Sequence, residues 1–331
     1  MAARPAAWIA LLAAVAWGQD STPVYRTNSD LVLLDVQVIH QKTKSSMGQL
    51  EAKDFELFEG GARQTISFFD HDQLPLSAVL LFDLTDSVRG VLHRLAAGAQ
   101  TALDHLKPTD EVAVVTYAAS ATLVDDFTRD HARTAAAIAR AADMKSGDAA
   151  FFNEAVYQAA ARLESSANPS SRRVILWLTD NLANVPNPSN QRHFAGGLGG
   201  AAPHTEQEAI RKLHESGTVA MPLLLKDPVA AVWGEMVIAM ESPYRKAYPP
   251  GDAHKYAELT GGFAAGMRGK EVDERLAQAI DSLRGRYTIG YRPSEEKAPG
   301  TFCRVKVTLS PAAPLRPQEW KVLARDGYYR K

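Results

Sequence analysis

Cysteine occurs once in the 331 residues, at Cys303, so no disulfide can close within the chain and an apolar core must hold the fold. Neither sign of charge is in excess. With 37 Lys and Arg against 38 Asp and Glu, there is no electrostatic case for a nucleic-acid partner or an anionic membrane surface. After the N-terminal segment no apolar run approaches the ~18 residues that read as a bilayer span, so no membrane span is expected in the mature chain. The nine histidines lack His-Glu-x-x-His or paired spacing, which leaves zinc hydrolysis without support. No Gly-x-Ser-x-Gly elbow is present for a serine hydrolase. Gly196-Gly197-Leu198-Gly199-Gly200 follows an irregular stretch rather than a strand, and reads as a loop instead of a phosphate cradle. With no acid–base or nucleophile constellation, a non-enzymatic protein is expected.

What remains is ordinary for a globular protein: 46% apolar and 23% charged residues, at a length suiting one large domain or two modest ones. The N-terminus stands apart. Arg4 precedes an apolar run at 6–15, and Ala16-Trp17-Gly18 puts small residues at the −3 and −1 positions of a cleavage site. Residues 1–18 therefore read as a signal peptide, and the mature protein as exported to the periplasm or beyond the cell. The apolar run is too short for an anchor, and no cysteine follows it for lipidation.

From 24 to 74 the chain is β-rich: a strand over 31–38, then alternation at 55–59 and 64–68 around Gly60-Gly61, which reads as a hairpin. From Ala78 strands alternate with helices. Strands are expected at 78–83, 111–117, 174–178 and 219–225; helices at 88–106, 130–142, 151–165, 205–216, 253–259 and 270–283. That order implies a doubly wound, mostly parallel sheet covered on both faces. After Arg286 the chain is β again at 287–291, 302–309 and 321–324. Neither β-rich end has enough strands to stand alone. The expected architecture is thus an α/β unit at 76–291, inserted in a small β-sandwich that 24–74 and 292–331 build together. Cys303 falls at an alternating position and reads as a buried strand residue; Tyr287, Tyr291, Tyr328 and Tyr329 read as strand-face packing.

The strand at 78–83 is apolar without alternation and ends in Asp83, Thr85 and Ser87, spaced i, i+2, i+4. Open α/β sheets bind ligands at such strand ends, and short oxygen donors with a carboxylate suit a hard divalent cation. The strand at 174–178 ends at the same edge with Asp180, bringing a second carboxylate. Asp, Ser and Thr are also the commonest helix caps and turn residues, and Ser87 opens a helix, so capping is the competing reading.

Asp83-Leu84-Thr85-Asp86-Ser87 after an apolar strand, with Val174-Ile175-Leu176-Trp177-Leu178-Thr179-Asp180 further on, resembles the von Willebrand factor type A fold and its metal-ion-dependent adhesion site. The pattern there is Asp-x-Ser-x-Ser, a Thr from a later loop, and an Asp in Thr-Asp-Gly. Thr85 keeps the oxygen of the Ser it replaces, and Asn181 stands where Gly is usual. Gly147-Asp148-Ala149-Ala150-Phe151-Phe152-Asn153 looks like the family's Gly-Gly-Thr-Ala-Leu-Tyr-Asp segment, which puts Ala149 at the Thr ligand and makes Asp148 a further candidate. The flanks at 54–66, 287–291 and 324–328 resemble the exported VWFA-related proteins of Acidobacteria. The resemblance implies Mg²⁺, with Mn²⁺ or Ca²⁺ as alternatives, on Asp83, Thr85, Ser87 and Asp180, and a protein partner whose Asp or Glu carboxylate completes the shell. The alternative it leaves open is a metal-free structural or assembly protein of the cell envelope, because Ala149 brings no oxygen.

Overall fold

Every residue of the strand Leu76–Asp83 is buried, and its two faces feed two different cores. Ala78, Leu80 and Phe82 pack in one cluster, while Val79 and Leu81 pack in another. The computed structural model describes residues 31–71, 74–145, 147, 149–183, 203–226 and 251–331; the proposed signal peptide and the Gly-rich stretch at 196–200 lie outside them.

In chain order the strands and α-helices are β1 (Val32–His40), β2 (Phe55–Glu59), β3 (Ala62–Gln64), β4 (Ile66–Asp70), β5 (Leu76–Asp83), α1 (Asp86–Leu103), β6 (Glu111–Tyr117), β7 (Ala121–Thr128), α2 (His131–Ala142), α3 (Phe152–Glu164), β8 (Arg172–Thr179), α4 (Glu206–Ser216), β9 (Val219–Leu225), α5 (Ala253–Leu259), β10 (Ala265–Met267), α6 (Val272–Ser282), β11 (Arg286–Tyr291), β12 (Phe302–Leu309), β13 (Trp320–Leu323) and β14 (Gly327–Tyr329). The central sheet runs β10-β9-β8-β5-β6-β7. All its pairings are parallel except that of β7 with β6. Helices α1, α2 and α6 cover one face through residues such as Leu92, Ile138 and Ile280. Helices α3 and α4 cover the other through Val156, Ala159 and Leu213. This is the doubly wound arrangement that alternating strands and helices impose.

The chain ends form two four-stranded antiparallel sheets, β13-β1-β11-β4 and β14-β12-β2-β3. Leu34 and Val36 from one, and Leu57, Cys303 and Val305 from the other, meet in a third core. Cys303 is buried in β12, as its alternating position predicts.

Two boundaries differ from the sequence reading. The α/β unit was expected to run to 291, but β11 pairs with β1 and β4 and places Tyr287, Ile289 and Tyr291 in the sandwich core. The β end of the chain therefore begins at Arg286, because the alternation of β11 fits a one-sided antiparallel sheet rather than a doubly covered one. The expected 64–68 hairpin arm is divided: β3 pairs with β2, whereas β4 crosses to β11 in the other sheet. Phe68 is consequently 41% exposed, so its alternation with Ile66 does not mark a core face.

Sandwich and α/β unit are joined at the N-terminal ends of the parallel strands. Asp35 of β1 accepts from Arg172 Nε at the start of β8 (3.0 Å) and from Arg286 Nε (2.8 Å). Gln37 Nε2 donates to the Ser282 carbonyl at 2.7 Å.

Candidate functional site

Asp83 closes β5 and is fully buried, yet both of its carboxylate oxygens are engaged. Oδ1 accepts from the backbone N–H of Thr85 at 2.9 Å and from the Thr85 hydroxyl at 2.7 Å. Oδ2 accepts from the Tyr117 hydroxyl at 2.9 Å and the Thr179 hydroxyl at 3.1 Å. Ser87 donates to Asp180 Oδ2 at 2.5 Å, and the Thr85 and Ser87 oxygens stand 3.1 Å apart. All four residues selected from the sequence thus meet at one point. Parallel register brings them there, since β5 pairs with β8 up to Phe82 and Leu178.

The cap-and-turn reading holds in part: Asp83 and Asp180 each accept from the N–H two residues on, while the cap itself fails. Thr85 is the N-cap residue of α1, but its hydroxyl makes no capping hydrogen bond and donates to Asp83 instead. Asp180 does make a turn, accepting from the Leu182 N–H at 2.8 Å through Oδ1 while Oδ2 takes the Ser87 proton. Asn181, where Gly is usual, has a φ of 61°. Asn is the non-glycine residue that best tolerates this left-handed conformation. Its side-chain oxygen also accepts from the Ala253 N–H at 2.9 Å, tying the turn to α5.

Sequence reasoning missed Tyr117, Thr179 and Trp177. Trp177 Nε1 donates to the Tyr117 hydroxyl at 2.9 Å, so a buried chain of donors leads to Asp83. Tyr117 ends the strand beside β5 and lies opposite Asp83, and Trp177 and Thr179 share one face of β8. Asp148 lies outside the described residues. Ala149 is fully buried and contributes no oxygen. Its loop runs alongside the site, where the Gly147 N–H donates to the Leu84 carbonyl at 3.2 Å.

Burial, with Asp180 as the second cause, pushes the Asp83 carboxyl up to about 6 despite its four donors. Among the described residues no cationic side chain pairs with Asp83 or Asp180. Nor do three or more His, Cys, Asp or Glu side chains gather to hold a metal ion. A cation here would rest on two carboxylates and two hydroxyls. That donor set fits a hard divalent ion. The shorter contacts assign the Thr85 proton to Asp83 and the Ser87 proton to Asp180. The Thr85 and Ser87 oxygens, in hydrogen-bond range of each other, keep lone pairs that could serve a cation.

Residues 78–182, which span all four site residues, match the family model of the von Willebrand factor type A domain. Solved structures similar to this chain include a von Willebrand factor type A protein from Catenulispora acidiphila, 13% identical, covering 84% of this chain and 75% of that one with a TM-score of 0.45. The vWF domain of the type V pili tip protein Mfa5 from Porphyromonas gingivalis is 12% identical over 68% of this chain and 99% of that one, with a TM-score of 0.44. The conserved hypothetical protein BatB from Bacteroides thetaiotaomicron is 14% identical over 63% and 98%, with a TM-score of 0.41. Among curated proteins none matches. The strand-end oxygens therefore lie inside the one segment, residues 78–182, that matches the von Willebrand factor type A domain.

Proposed function

We propose that this chain is an exported, non-enzymatic protein-binding module that engages its partner through the C-terminal edge of the parallel sheet, with a divalent cation at Asp83, Thr85, Ser87 and Asp180. One observation carries the reading: two carboxylates and two hydroxyl oxygens converge, and no side-chain cation among the described residues answers the charge. Thr85 and Ser87 would hold the ion directly, while Asp83 and Asp180 would supply charge and orient its waters. Bound Mg²⁺, or Mn²⁺ or Ca²⁺ in its place, would offer an open position to an Asp or Glu carboxylate of the partner. The leader-like N-terminal segment supports export to the periplasm or beyond.

Ala149 favours a second reading, in which the site is degenerate and the chain is a metal-free structural or assembly protein of the envelope. Calorimetric titration of the mature protein with Mg²⁺, Mn²⁺ and Ca²⁺ separates the two. The first reading expects saturable heat that Asp180→Ala abolishes, and partner capture from envelope extract that a chelator prevents. No heat with any of the three ions, or capture indifferent to chelator, rejects metal dependence.

A further inference from the structure

The seam between the sandwich and the α/β unit holds more positive charge than its partners neutralise. Next to Asp35 lies a cavity of about 130 Å³, lined by Leu33, Asp35, His214, Thr218, Thr260 and Arg325 among others. Both Asp35 oxygens are already taken by Arg172 and Arg286. Asp326 is bound to His214 Nε2 at 2.7 Å, and the other ring nitrogen faces the Ile210 carbonyl at 2.8 Å.

Arg325 makes no ion pair among the described residues, and Asp35 acts on it only at longer range. Its Nη2 donates to the Leu33 carbonyl at 2.7 Å, and its guanidinium lies 5.7 Å from the centre of the Tyr328 ring. Its Nε is buried with no hydrogen-bond partner, as is Arg172 Nη2. Buried donors left open in this way are uncommon and ask for an acceptor. Burial also holds the Arg325 guanidinium below its usual range, the mark of a charge with too little compensation.

The backbone that carries Arg325 is closely held. Arg325 bridges to Thr260, and Gly261 packs so closely that an added Cβ would sit 2.6 Å from the Ala324 carbonyl carbon. Arg325 and Asp35 thus line a cavity with room for about four waters, and Arg172 and Arg286 bind that same Asp35. We propose that this cavity is a binding site for a small oxyanion, a phosphate or a carboxylate, held by the open edge of Arg325 in the positive field of Arg172 and Arg286.

The test is calorimetric titration of the full folded chain with inorganic phosphate and, separately, with acetate, at ionic strength fixed with sodium chloride. Saturable binding of either ion is expected, and the two arms tell a tetrahedral from a planar oxyanion. Arg325→Gln should weaken it by about tenfold or more, the worth of a charge-assisted hydrogen bond. Arg325→Lys keeps the charge but loses the fork, and should also weaken binding; it serves in place of Arg325→Gln should that variant not fold by circular dichroism. No saturable binding of either ion to the wild type overturns the proposal. So does undiminished affinity in whichever variant folds, because the ion then sits elsewhere.

Discussion

The Ser87 hydroxyl lies 2.5 Å from Asp180 Oδ2, although 93 positions separate the two residues. The contact joins the loops that leave two adjacent parallel strands, so it exists only when β5 and β8 are in register. It also decides where the Ser87 lone pairs point. With its proton on Asp180, Ser87 can only accept from, or coordinate to, whatever occupies the space beside Thr85.

Asp83 gives a pH dependence of definite sign. Its carboxyl is raised to about 6 in the folded protein, chiefly by burial and then by Asp180. A raised carboxyl binds more protons folded than unfolded, so its contribution to stability is complete below pH ~4 and is lost as pH rises through about 6. In chelator, urea unfolding should show the wild type losing on the order of 3 kcal/mol of this contribution between those limits. Asp83→Asn should flatten that loss and exceed the wild type at pH 7.5, because the Tyr117 and Thr179 hydroxyls can turn to accept from the amide. Asp83→Ala should be destabilised at every pH, by on the order of 3 kcal/mol or more, since it strands four buried donors. Saturating Mg²⁺ should stabilise the wild type and leave Asp83→Asn unchanged; equal stabilisation of both would remove Asp83 from the metal proposal.

Ala149 is the weak point of the proposed cation site, and restoring an oxygen there is informative. Ala149→Ser adds the smallest hydroxyl to a fully buried position, limiting the overpacking that Thr would bring. The expected outcome is roughly tenfold tighter Mg²⁺ binding, equivalent to about 1.4 kcal/mol. Calorimetry on the folded variant checks it. Affinity unchanged from wild type would mean that the 149 side chain does not reach the ion.

The parts of this architecture that could be read from the sequence are those where one strand carries its own explanation. Residues 78–83 and 174–178 are apolar without alternation, which dictates burial on both faces, and their polar ends dictate the edge. Tyr117 was opaque because its role depends on the neighbour it pairs with, and pairing is not written in a single segment. The division of 62–70 between two sheets was hidden for a related reason. Thr65 interrupts a run whose local pattern suits one continuous strand, and only the competition of β2 and β11 for partners separates β3 from β4. Arg325 gave no signal at all, since a lone arginine in a terminal turn is ordinarily solvated.

The joint between the two β layers and the α/β unit rests on Asp35. Replacing it with Ala leaves the Arg172 and Arg286 guanidinium groups buried without a counter-charge. Breaking a buried pair from one side typically costs about 3–5 kcal/mol. Asp35→Ala should therefore lower the urea midpoint sharply, while Asp35→Asn, which keeps an acceptor oxygen, should lose less. A change under about 1 kcal/mol for Asp35→Ala would show that solvent reaches both arginines.

Glu59 should respond to acid in the opposite sense from Asp83. Burial alone would raise its carboxyl, but Lys297 and Tyr291 hold it below its ordinary value. The Lys297 ammonium and the Tyr291 hydroxyl donate to it at 2.9 and 2.7 Å, and Tyr328 lies at 3.3 Å. A lowered carboxyl binds fewer protons folded than unfolded, so its contribution is present above pH ~4.5 and is lost as pH falls through the lowered value. Tyr291→Phe should cost about 1–2 kcal/mol at pH 7 through the lost hydrogen bond, and the deficit should shrink in acid as Glu59 becomes protonated. Urea midpoints at pH 3.5 and pH 7 for wild type and variant decide the matter. A deficit independent of pH would assign Tyr291 to packing alone, with Glu59 held by Lys297 without it.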